Sequence, residues 1–168
     1  MLIIFGGLPG VGKTTIAREL SRQIGAVYLR IDSIEQAISD SGQMTGPPDE
    51  SGYRVAYAVA KDNLLLGRIV VADSVNPLLI TRDSWAEVAN GAGVGKLEVE
   101  VTCSDPQLHR QRLETRPADI AGMRVTWEEV LSREYEPWNR ERIVIDVAAM
   151  NLADAVEELR KAFMEGAQ

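Results

Sequence analysis

One cysteine, Cys103, and one histidine, His109, stand in the 168 residues of this chain. A single thiol excludes an intramolecular disulfide, and one Cys with one His gives no zinc-ligand spacing. No apolar run approaches the roughly 18–20 residues of a membrane span. The short apolar N-terminus lacks the basic leader and cleavage segment of a signal peptide. Basic charge is in deficit, 18 Lys and Arg against 25 Asp and Glu, for a net −7. That balance argues against a dedicated nucleic-acid binder and predicts no stable nucleic-acid partner. There is no internal repeat, no low-complexity segment and no N-K-x-D base-reading motif of the common GTPases. What remains is a globular, cytoplasmic protein, a monomer or homodimer, whose length fits one domain with a full core.

The most informative stretch present is Gly7-Leu8-Pro9-Gly10-Val11-Gly12-Lys13-Thr14, which fits the phosphate-loop pattern G-x-x-x-x-G-K-[ST]. Leu2-Ile3-Ile4-Phe5 precedes it as a strand-like run, and Ile16, Leu20 and Ile24 follow at helical spacing. A strand, a glycine-rich turn and a helix start let the N–H groups of residues 10–14, Val11 included, converge on a phosphate in front of the helix dipole. In that setting Lys13 reaches the β- and γ-phosphates, the Thr14 hydroxyl binds Mg²⁺ and Thr15 adds a hydroxyl at the α-phosphate.

Along the chain, strands are expected over 1–6, 26–31, 69–72, 96–103 and 142–146. Helices are expected over 13–24, 33–39, 50–66, 81–91, 105–115, 126–135 and 152–164. Asp32-Ser33 reads as an N-cap pair, and Thr126 with Glu129 as a capping box. Val55, Val59, Ala60 and Leu64 mark the apolar side of the third helix, Trp85 and Val88 that of the fourth. Residues 41–48 form a breaker-rich loop and 116–125 a short lid. Alternating strands and helices argue for an α/β fold with one parallel sheet covered on both faces.

Such sheets bind ligands outside the carboxyl ends of their strands. The first strand ends in the phosphate loop, the second at Asp32 and the third at Asp73. Asp73 is positioned as a Mg²⁺-organising carboxylate, or alternatively as a turn aspartate. Asp32 is a candidate general base for an acceptor hydroxyl, or else a helix cap. Arg112 and Arg116, four apart, share a helix face and can neutralise charge on a transferring phosphoryl group. Arg124 is a weaker candidate, Arg110 pairs with Glu114, and Arg82 either approaches an acceptor or faces solvent. His109 reads as a surface residue. Trp85, Trp127 and Trp138 read as core and lid-base residues, with a place for Trp138 beside the nucleotide left open.

With these residues in hand, the chain resembles the small P-loop kinases of the nucleoside-monophosphate-kinase-like type. More narrowly, it resembles the branch holding the zeta toxins, chloramphenicol phosphotransferase and the polynucleotide 5′-kinase domain. The resemblance implies a three-layer P-loop fold with a five-stranded sheet in the order 2-3-1-4-5, a helical lid and ATP with Mg²⁺. It also implies a catalytic aspartate at Asp32, phosphate- or adenine-contacting arginines at Arg112 and Arg116, and an adenine seat near Asp146 to Ala149. The activity implied is phosphoryl transfer from ATP to a hydroxyl of a small molecule. The alternatives are a nucleotide or nucleic-acid-end kinase, or an ATP-binding regulator.

Overall fold

The computed structural model describes residues 1–42, 50–115 and 125–166. Strands β1 (Leu2–Gly6), β2 (Val27–Arg30), β3 (Val70–Asp73), β4 (Lys96–Thr102) and β5 (Ile143–Asp146) pair in parallel, in the order β2-β3-β1-β4-β5. The described helices are α1 (Lys13–Ile24), α2 (Ile31–Asp40), α3 (Ser51–Leu65), α4 (Leu79–Gly91), α5 (Pro106–Thr115), α6 (Trp127–Ser132) and α7 (Leu152–Gly166). Both the α/β architecture and the strand order agree with the sequence expectation.

The period of two along a strand sends alternate side chains to opposite faces. Ile3 and Phe5 join Val71, Val99, Val101 and Ile145 in a core with α1 and α7, through Ile16, Leu20, Val156 and Leu159. Leu2 and Ile4 join Val70 and Ala72 in a second core with α3 and α4, through Ala60, Leu64, Trp85 and Ala89. Each such apolar side chain taken from water contributes about 1.5–3 kcal/mol before entropy is counted. β1, central in the sheet and covered on both faces, is buried throughout.

Three local expectations are corrected. α3 turns Gly52, Ala56, Ala60 and Leu64 inward, while Val55 and Val59 are exposed; small residues let the helix sit close to its neighbours. α2 starts at Ile31, so Asp32 lies in its first turn and Arg30 holds the cap position without a side-chain cap bond. α6 stops at Ser132 instead of running to residue 135, with Arg133 in extended conformation. The Thr126–Glu129 capping box that starts α6 is present in both directions. Glu98 and Glu100 of β4 are buried, matched by Lys96 and Arg140 and by Arg142, 2.5 Å from Glu100. Among the described residues no helix is long and apolar enough to cross a membrane.

Candidate active site

β1 delivers the glycine-rich loop to the sheet edge. Gly7 has φ +135°, and a Cβ there would lie 2.2 Å from the Val101 carbonyl oxygen, so only glycine fits. The loop is fastened from below. Gly7 N–H donates to Val75 O (3.0 Å), Lys13 Nζ to Leu8 O (3.0 Å), and His109 Nε2 lies 2.8 Å from Pro9 O. His109 is therefore not a surface residue: it is 5% exposed and packs edge-on against Trp127. The sequence around it is polar, which hid a burial that depends on the fold bringing α5 under the loop.

Sheet register aligns the other groups. Phe5 pairs with Asp73, and Asp73 with Arg30, so the ends of β1, β2 and β3 lie level. Asp73 is buried and accepts a 2.6 Å hydrogen bond from the Tyr28 hydroxyl. Burial, with the Asp73 charge beside it, raises the Tyr28 pKa, so Tyr28 stays a donor. Asp32, in the first turn of α2, lies 3.2 Å from Arg30. Arg30 holds the cap position of α2, so Asp32 is not that helix's N-cap, and Asp73 is held by a tyrosine 45 residues away in sequence.

Two cavities flank the phosphate loop and share Lys13 and Thr14. The first, about 630 Å³, runs from Gly10, Gly12, Thr14 and Thr15 past Arg112 to Val147, Met150 and Leu152. Its shape and lining suit a nucleoside triphosphate, with phosphates at the loop and a base at the apolar end. The second, about 540 Å³, is bordered by Asp32, Glu35, Tyr53, Arg54, Asp73 and Arg133 among others. Thr14 and Asp73 both border this second cavity. A hydroxyl and a carboxylate fit Mg²⁺, which takes few protein oxygens and keeps waters and phosphate oxygens for the rest.

Of the expected arginines, Arg112 lines the first cavity and points Nη2 at Val147 O, 3.4 Å away. Arg110 pairs with Glu114 at 2.7 Å, on the solvated side. Arg116 and Arg124, all of the expected lid over 116–125 except Val125, and most of the breaker-rich loop lie outside the described residues. Arg82 neither approaches an acceptor nor faces solvent. It is fully buried and donates to the carbonyls of Asn76, Pro77, Glu136 and Pro137. Trp138 lies 4.3 Å from that guanidinium, under Gly6 and away from the nucleotide cavity.

Glu35, Tyr53 and Arg133 were not singled out by sequence reasoning. Glu35 had a signal, since it follows Asp32 by three residues and shares its helix face. It makes no hydrogen bond or ion pair among the described residues. Burial, reinforced by the Asp32 charge and opposed by Arg133, pushes its pKa up to about 7. A Cβ on Gly52 would meet Glu35 Cγ at 2.4 Å, so α3 gives up a side chain where Glu35 passes. Burial also raises the pKa of Tyr53, whose hydroxyl oxygen accepts from Asn76 N–H (3.1 Å).

Against known proteins, a family profile described as "AAA domain" matches residues 2–135. Shikimate kinase of Corynebacterium efficiens is 32% identical over 132 residues, 68% of this chain and 78% of that protein. Uncharacterized proteins of Mycobacterium tuberculosis and Mycobacterium bovis are 37% identical over 76 residues, 39% of this chain, which spans only 15% of their length. Among solved structures, Chaetomium thermophilum Kti12 with ADP-AlF3 superposes with a TM-score of 0.70 at 24% identity, over 99% of this chain and 98% of that one. The Mycobacterium tuberculosis APS kinase with AMPPNP and APS gives a TM-score of 0.71 at 17% identity, over 97% and 96%. These superpositions show a common fold.

Proposed function

Starting from the fact that the chain belongs to the AAA domain family and has the fold of the small P-loop kinases, we propose that it is an ATP-dependent phosphotransferase, a single kinase domain over residues 1–168. It moves the γ-phosphoryl group to a hydroxyl of a small molecule. The observation that carries this reading is the second cavity, walled by Asp32 and joined to the phosphate loop at Lys13 and Thr14.

The roles follow from placement. Gly7 to Thr15 cradle the triphosphate, and Lys13 holds its β- and γ-oxygens. Thr14 and Asp73 would hold the Mg²⁺, which neutralises phosphate charge when bound. Asp32 accepts the proton of the acceptor hydroxyl as its oxygen bonds to phosphorus and ADP leaves. Arg112 stands by the triphosphate, and Arg116 is assigned with it to neutralise charge on the transferring group. Positioning and electrostatics dominate because little covalent chemistry falls to the protein.

Among the described residues the acceptor cavity carries Asp32, Glu35, Glu50 and Asp73 against Arg54 and Arg133, with Lys13 shared by both cavities. That excess of carboxylates speaks for a small hydroxyl compound over a nucleotide or nucleic-acid end, whose phosphates need several cations. Transfer of labelled phosphate from ATP to a panel including shikimate, D-gluconate, D-glucose and glycerol tests the reading. Asp32→Asn is expected to keep ATP affinity while transfer falls by about 10²–10⁴. Lys13→Ala is expected to abolish most turnover. Transfer at the wild-type rate in either variant would overturn the scheme.

A further inference from the structure

Arg30 ends β2 and stands between the two cavities. It lines the first, the nucleotide cavity, together with Thr14, Thr15 and Arg18. Its guanidinium Nη2 lies 3.2 Å from Asp32 Oδ2, and Asp32 lines the second cavity. One ion pair thus reaches from the donor chamber to the acceptor chamber. The pair is lopsided, with the Arg30 side chain 5% exposed and that of Asp32 35%. Water solvates Asp32 by itself, whereas taking a guanidinium out of water is costly unless anions meet it.

The sheet order says which end of the nucleotide cavity Arg30 marks. β2 and β5 are the two outer strands, with β1 and its phosphate loop in the middle. The apolar end of the cavity, at Val147 and Met150, follows β5, and Arg30 ends β2. A triphosphate with its base at β5 and its phosphates along the loop therefore directs its last phosphate toward Arg30. Arg30 also pairs in register with Asp73, and residues in register send their side chains to the same sheet face. The cation thus belongs to the end of the cavity where Thr14 and Asp73 stand.

We propose that Arg30 is a further catalytic residue of the phosphoryl transfer, a fork that holds the γ-phosphate on one side and Asp32 on the other. A guanidinium is planar and carries five N–H donors, so it binds two anions in a fixed geometry, which an ammonium does not. In the transfer, the acceptor oxygen bonds to phosphorus while Asp32 takes its proton and the bond to ADP breaks. A rigid group touching both the phosphoryl oxygens and the base sets the distance between them and places positive charge beside the transferring group. An ion pair that served α2 alone would be indifferent to the number of phosphates on the nucleotide.

The catalytic step rests on the kinase reading, but the central contact is read without any acceptor. Calorimetry of the full chain with Mg²⁺ compares AMPPNP with ADP, which differ in the terminal phosphate. Arg30→Met should weaken AMPPNP on the order of 10–100-fold, the effect of losing a charged hydrogen bond, and ADP by less than about twofold. Equal losses for both nucleotides, or none, would overturn the proposal. Arg30→Lys keeps the charge without the fork. It should bind AMPPNP within about fivefold of the native chain, while kcat with an acceptor from the panel falls about 10²-fold and KM for ATP changes little. A native kcat in Arg30→Lys would overturn the bridging role. If Arg30→Met does not fold, side-chain ¹⁵N NMR of the native chain decides. The Arg30 guanidinium resonance, identified by its absence from Arg30→Lys, should move further with AMPPNP than with ADP; equal movement would overturn the contact. Selective loss of AMPPNP binding in Arg30→Met, with no phosphate transfer by the native chain to any acceptor, would sink the kinase reading and the step with it, and leave the contact with the γ-phosphate standing.

Discussion

Glu35 carries a carboxyl group, only partly offset by Arg133, into the acceptor cavity, and its protonation is written into stability. Its folded pKa is raised from the ordinary 4.5 to about 7. Below pH 4.5 the group is neutral folded or unfolded and costs nothing. As pH rises from 4.5 to 7 the unfolded chain ionises first, so stability is lost across that window, and above 7 the penalty is complete. The side chain is only partly buried, so solvent screening reduces the cost to about 1–2 kcal/mol. Glu35→Gln should therefore raise the melting temperature by about 3–6 °C at pH 8 and hardly change it at pH 5. Melting curves of the two proteins that stay parallel across this range would refute the assignment. Lys13, Thr14, Asp32 and Asp73 were legible before any fold was known, because each sits where an apolar strand or a motif ends. Arg133 and Tyr53 were not, because only the packing of α2, α3 and the segment after α6 brings them to the same wall.

At the level of elements, α3 shows why hydrophobicity alone misplaced a helix face. Val55 and Val59 are the more apolar residues, yet the face turned inward is Gly52, Ala56, Ala60 and Leu64. Close approach of α3 to α2 favours small side chains, and the periodicity of large apolar residues does not report closeness. Gly52 is the sharpest instance. Gly52→Ala gains helix propensity of roughly 1 kcal/mol but forces the new methyl into Glu35, a clash of about 1–3 kcal/mol. The variant should melt lower than the native protein by about 2–4 °C. In a Glu35→Ala background the clash is gone and the same substitution should raise the melting temperature. A reversal of sign between the two backgrounds, read by thermal denaturation, is the expected result; the same sign in both would discard the contact. α5 teaches a related lesson. His109 and Leu113 support the phosphate loop, and a Cβ on Gly10 would lie 2.9 Å from Leu113 Cδ1. Nothing in the spacing of the sequence announced that contact between distant segments.

Across the whole molecule, Arg82 joins two parts that are distant in sequence. Its guanidinium binds carbonyls on the loop after β3 and on residues 136–137, with Tyr135 and Trp138 close by. The same segments are joined again by Glu136 N–H to Pro77 O (2.9 Å) and by Leu79 N–H to the Glu136 carboxylate. One wall of the acceptor cavity thus depends on a buried cation. Arg82→Met fills much of the volume but strands four carbonyls, and should cost about 3–5 kcal/mol of global stability by urea unfolding. A loss under 1 kcal/mol would mean that the two segments hold without it. The α/β class was legible from the alternation of strands and helices, while the strand order was legible only through the family resemblance that the phosphate loop and its neighbours carry. The clamp was not, because an arginine at the start of a helix looks the same whether it ends in water or in the core.

The two cavities meet only at Lys13 and Thr14 among the described residues. Under the kinase reading this has a kinetic consequence. Neither chamber is the corridor to the other, so neither ligand has to arrive first or wait for the other to leave. Initial velocities measured against both substrates should give intersecting lines with random order of addition, and ADP should compete with ATP whether or not the acceptor is saturating.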